Sequence, residues 1–191
     1  MRLVPLVLAA LLAGASLAGA QSLGWKEYTY PQYSFGLSFP SEPTIETKSY
    51  ETADGSPAEA RIYSVARDNS EFVMTVVDLS DKKTDEKTVI DHAIKTLAEG
   101  GEVKLDITHR ISAVYGRQLS IVSRDGTHSS VALFYYQKRL YQIAGIAHPG
   151  ENATADAIRF QQSLIFTNRA ANRTPLEPVF QVFGRVFGTN N

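Results

Sequence analysis

The amino-acid sequence predicts an α+β domain, an antiparallel β-sheet flanked by helices in an α/β/α sandwich. Three observations predict it. Glu71–Leu79 and Val131–Ala147 are apolar on both alternating faces, so they lie mid-sheet with cover above and below. Turn signals such as Asp54-Gly55-Ser56-Pro57 and Asp125-Gly126 cut the chain into short extended runs. Two stretches have helical spacing, one after Thr84 and one from Ala153 to Phe166, so each face of the sheet can receive one helix.

Residues 1–20 read as a secretory signal peptide. Arg2 supplies the charge, Leu3–Leu12 is an apolar run broken by Pro5, and Ala18-Gly19-Ala20 forms a small-residue cleavage site. The apolar run is too short to span a bilayer core of about 30 Å. No cysteine follows the cleavage site, which excludes a lipid-anchored lipoprotein. The expected location is periplasmic or secreted, with the domain over residues 21–166 and a linker and tail over 167–191. Net charge is −1, and losing Arg2 makes the mature form one unit more negative. That balance argues against nucleic acid, which requires a clustered basic surface. With 0 cysteines, thiol catalysis and thiolate metal sites are excluded, and stability must come from the core.

In chain order, Trp25–Tyr30 alternates aromatic and polar residues as an edge strand does. Tyr33, Phe35, Leu37 and Phe39 share one face of the next strand, which Pro40 ends. Thr44–Thr52 and Ala60–Ala66 flank the Asp54-Gly55 turn as a hairpin, and Glu71–Leu79 follows as a central strand. Thr84 is placed as the cap of the first helix, Val89, Ile90, Ala93, Ile94 and Leu97 form its buried stripe, and Gly100-Gly101 stops it. A four-strand meander follows: Val103–Ile111, Val114–Ser123, Ser130–Tyr136 and Leu140–Ala147, the last two joined at Lys138-Arg139. Asn152 or Thr154 caps the second helix, whose Ala153, Ala157, Phe160 and Leu164 keep helical spacing.

Two stretches carry a resemblance to a known group. Tyr33-Ser-Phe-Gly-Leu-Ser-Phe-Pro40 is similar to the aromatic opening strand, closed by proline, of the PsbP-like fold. Arg139-Leu-Tyr-Gln-Ile-Ala-Gly145 and Ala157–Phe166 resemble that group's closing strand and helix. The group includes the extrinsic photosystem II protein PsbP, Ran-binding Mog-type proteins and small bacterial exported domains. The resemblance implies a non-enzymatic module that docks on a larger assembly. It carries no functional residue across, because the shared pattern is one of fold aromatics.

Chemistry is sparse. There is no Gly-x-Ser-x-Gly elbow, and His128 beside Ser129 and Ser130 is the nearest approach to a nucleophile–base pair. The histidines at 92, 109, 128 and 148 are scattered singly, without metal-ligand spacing. His92 falls off the helix stripe and reads as a surface histidine. No nucleotide-binding loop is present, so neither cofactor nor metal is expected. The tail is the stronger signal: Val179, Phe180, Val182, Phe183, Val186 and Phe187 fall on one face of a helical wheel. They read as the candidate surface for docking a protein partner. Packing back on the domain is the plain alternative. Membrane-surface contact is weakly supported, since Arg185 is the lone cation on the polar face. The expected function is an exported, non-catalytic accessory module. The alternatives are a small-ligand carrier with a tyrosine-lined cleft between sheet and helix, and a hydrolase with a site the sequence hides.

Overall fold

Alternation and turn chemistry produce the strands where the sequence places them, and register then sorts them into two sheets. A computed structural model describes residues 24–149 and 153–167. The strands are β1 (Lys26–Tyr30), β2 (Phe35–Phe39), β3 (Thr44–Glu51), β4 (Pro57–Arg67) and β5 (Ser70–Asp78). After helix α1 (Glu86–Ala98) come β6 (Glu102–Ile111), β7 (Val114–Val122), β8 (His128–Tyr136) and β9 (Arg139–Ala147). Helix α2 (Ala153–Gln162) and the short β10 (Ile165–Phe166) close the described chain. The large sheet has seven strands in the order β3-β4-β5-β9-β8-β7-β6, and the small one has three, β1-β2-β10. All pairings are antiparallel. The doubly apolar strands β5, β9 and β8 take the middle of the large sheet, as their two buried faces demand.

One face of that sheet presents Tyr63, Phe72, Met74, Phe134, Tyr141 and Ile143 to Phe35, Leu37 and Phe39 of β2 and to Phe160 of α2. Each is fully buried, and burial of such a side chain contributes roughly 1.5–3 kcal/mol. Phe160 is the hub, with ring centroids 4.9 Å from Phe39 and 5.3 Å from Phe72. The other face packs Val77, Leu119, Val131, Leu133 and Leu140 against Val89, Ile90 and Ala93 of α1. The α+β class is as expected, but strands dominate. The small sheet shares the cover of one face with α2, so the layers differ from a sandwich of helices alone.

Several local expectations shift for physical reasons. The second strand starts at Phe35, because Pro31–Tyr33 form a 3₁₀ turn and Ser34 is left-handed at φ 56°. The cap of α1 is Asp85, not Thr84: its carboxylate accepts from Thr88 N at 3.0 Å. The β8–β9 turn is Gln137-Lys138, both at positive φ (49° and 57°), one residue before the expected Lys138-Arg139. Helix α2 ends at Gln162, and Thr154 lies inside it. Asn152, the leader and the tail residues Val179 to Phe187 lie outside the described residues. Among the described residues, no helix is long and apolar enough to cross a membrane.

Candidate functional site

Register fixes which way β6 faces. Ile107 aligns with Gln118, Ala132 and Ile143, and His109 aligns with Gly116, Phe134 and Tyr141. Ala132, Ile143, Phe134 and Tyr141 belong to the aromatic core beneath α2 and the small sheet. Leu105, Ile107 and His109 therefore face the same side. Neither cover extends fully over them: Leu105 is 40% exposed and Ile107 45%, and Ile158 on α2 is 40% exposed. Ser120, Gln118 and Gly116 are their register partners on β7, so no charged side chain interrupts this strip. His109 is half-buried with its ring 5.7 Å from Phe134. Burial pushes its pKa down, which keeps the strip neutral. Gln161, fully buried on α2, brings Nε2 to 3.5 Å from His109 Nε2, too far for a strong bond, and its Oε1 has no partner.

A cleft opens on the opposite, α1 side. It holds about 160 Å³ between the β3–β4 turn, the β5–α1 loop and the first turns of α1. Tyr50, Leu79 and Val89 give apolar walls, and Asp54, Lys82, Lys83 and His92 stand around them. His92 is half-buried, its Nε2 is 2.9 Å from the Glu51 carbonyl, and its ring meets Tyr50 edge-on at 6.0 Å. A carbonyl only accepts, so Nε2 carries the proton. His92 is thus a tie between α1 and β3, which differs from the solvated histidine the sequence implies.

The whole chain can be set beside known structures. It aligns with the solution structure of cyanobacterial PsbP (CyanoP) from Synechocystis sp. PCC 6803 at a TM-score of 0.50, covering 78% of this chain and 95% of that one at 11% identity. The fold is PsbP-like. A protein of unknown function from Pseudomonas aeruginosa, PA94, aligns at a TM-score of 0.36 and 16% identity over 71% of this chain and 94% of that one, too low a score to weigh on the fold. No family model and no curated protein sequence matches the chain. At such identity the likeness conveys the PsbP-like fold alone, and no site residue passes with it.

Within this PsbP-like domain the sequence-flagged histidines go separate ways. Strand alternation sends His128 and Ser129 to opposite faces of β8, so they form no pair. His148 finds partners instead: Nδ1 lies 3.3 Å from Thr127 Oγ1 and Nε2 lies 3.1 Å from Glu71 Oε1. The order hydroxyl, imidazole, carboxylate is that of a proton relay. Thr127 is buried, however, and its hydroxyl donates to Asp125 at 3.1 Å, closing the β7–β8 turn. Among the described residues no three metal-binding side chains cluster. The tyrosines are mostly structural. Tyr141 is fully buried and donates to the Tyr33 carbonyl at 2.8 Å, and burial pushes the Tyr63 phenol pKa far up.

Proposed function

We propose that this PsbP-like domain is an exported, non-catalytic accessory module that docks on a larger protein assembly through the strip at Leu105 and Ile107 of β6. The observation that carries the reading is that strip: a sheet face with the alternation of a core, free of charge and left uncovered. A neutral, aliphatic face of this kind recognises an apolar face on another protein. Two aliphatic side chains that are 40% and 45% exposed hold back roughly 1–3 kcal/mol of burial, which by itself is weaker than the ~4 kcal/mol of millimolar affinity. A second contact is therefore needed, and the apolar row Val179 to Phe187 is the segment of this chain suited to supply it. The leader-like residues 1–20 support export to the periplasm. Asp54, Asp85 and Asp125 are held by turn and cap backbone, which suits structural carboxylates.

The test is affinity purification from periplasm plus membranes with three versions of the chain: wild type, Leu105→Asp/Ile107→Asp, and a deletion of residues 175–191. The expected result is one assembly that co-purifies with wild type and is lost with both variants, while their melting temperatures stay near that of the parent. Retention of the assembly by the strip variant overturns the docking surface. A fall of many degrees on deleting the tail makes the tail part of the core and removes it as a second contact.

A further inference from the structure

We propose that the cleft on the α1 side is a binding site for a small carboxylate with an apolar body, a class of ligand the docking reading does not require. At about 160 Å³ the cleft holds roughly five waters and lies below the ~300–1,000 Å³ typical of drug-sized pockets. A single ring or a short branched chain fits that size. Leu79 and Val89 are buried core residues at the cleft wall, so the interior favours an apolar body.

Two features call for an anionic head. Lys82 and Lys83 both border the cleft. Lys82 leans on the exposed Asp81 at 3.5 Å, whereas Lys83 is exposed and outside the ion pairs found among the described residues. The carboxylate that borders the cleft, Asp54, is engaged by Thr52 Oγ1 and by Ser56 N at 3.0 Å. Those turn bonds hold its pKa well below the usual range, so it stays ionised, and the lysine whose charge acts on it is Lys82, which leaves Lys83 as the cation available to a ligand. The second feature is independent. Tyr50 forms a wall, and its hydroxyl is shut off from solvent with no hydrogen-bond partner. An orphaned phenol is uncommon and needs an acceptor. Burial raises its pKa, so the group stays a neutral donor. A carboxylate supplies acceptors for the phenol and a counter-charge for Lys83, while its apolar body covers Leu79 and Val89.

The site lies on the face of the large sheet opposite the docking strip, so either reading can fail without the other. The test is an ¹⁵N NMR titration of the full chain with benzoate, with uncharged benzamide as the matched probe and inorganic phosphate as the anion without an apolar body. The expected result is saturable shifts confined to residues 50–54, 79–84 and 88–92 with benzoate, and little effect from the other two probes. Lys83→Gln then weakens benzoate about two- to fivefold, the worth of one exposed ion pair. Tyr50→Phe weakens it as well, with the amide spectrum otherwise preserved. Equal shifts with benzamide, no shifts at millimolar benzoate, or undiminished binding in both variants overturns the proposal.

Discussion

Gly145→Ala is the sharpest test of how the domain is closed. Gly145 lies in β9 where α2 crosses it. A Cβ there would sit 2.5 Å from Ala157 Cα and 2.7 Å from its carbonyl carbon, with the carbonyl oxygen closer still. Carbon atoms pack comfortably at roughly 3.5–4.0 Å, so α2 must lift by about 1 Å. Every obstacle is backbone, and no rotamer change relieves it. The helix cannot lift alone, because Ala157, Phe160 and the following Leu164 are all buried. Overpacking usually costs about 1–3 kcal/mol, and a backbone clash under a whole helix belongs at the upper end, near 3 kcal/mol. For a chain of this size 1 kcal/mol shifts the melting temperature by roughly 2–4 °C, so a fall of about 6–12 °C is expected. The assay is thermal unfolding followed by circular dichroism. Adding Ala157→Gly should restore nothing, since it removes only a side chain. A midpoint within about 2 °C of the parent, or rescue by Ala157→Gly, refutes the reasoning.

Three further predictions use groups the fold has engaged. His109 has its pKa pushed below 6.5 by burial, so on acidification the unfolded chain takes up a proton before the folded one does. Stability should be full above pH 6.5 and decline as pH falls toward the lower folded value, and His109→Gln should flatten that decline in urea titrations across pH. Tyr141→Phe removes a buried hydroxyl that donates to the Tyr33 carbonyl at 2.8 Å. It should cost about 1–2 kcal/mol in chemical unfolding, because the carbonyl loses its donor. Asp85→Ala should lower the melting temperature where Thr84→Ala does not, because the Asp85 carboxylate takes the Thr88 amide.

The strand order was legible only in part, and the reason lies in what local sequence encodes. Asp54-Gly55 and Asp125-Gly126 announce their turns through glycines at φ 79° and 85°, so the β3–β4 and β7–β8 hairpins could be read directly. The two apolar faces of β5, β8 and β9 marked them as central. Nothing local says that β2 leaves the large sheet, because its partners are β1 and the two residues of β10 far along the chain. The end of α2 was hidden for a similar reason. Leu164 keeps helical spacing and is buried, yet it lies beyond the helix. Ser163 marks the stop: its hydroxyl donates to the Phe160 carbonyl at 2.8 Å and accepts from Ser38 N at 3.1 Å. A serine hydroxyl shared between a helix end and a strand of a different sheet leaves no periodic trace.

The candidate surfaces were harder to read, and the strip shows why. Alternation in β6 marks Leu105, Ile107 and His109 as one face of a strand, and that is the face they share in the sheet. Whether such a face is covered depends on where α2 lands, and Gly145 sets that by admitting the Ala157 backbone against β9. From β9 to β6 the large sheet counts three strand spacings, about 14 Å. A helix with side chains is about 10–12 Å across, so one seated over β9 shields its immediate neighbours and stops short of β6. Gln161 reaches that far, beside His109 at 3.5 Å, while Leu105 and Ile107 stay 40% and 45% exposed. The contact that closes the fold therefore also leaves its apolar edge open. A substitution that shifts α2 across the sheet should alter partner binding as well as stability, even though it touches no residue of the strip.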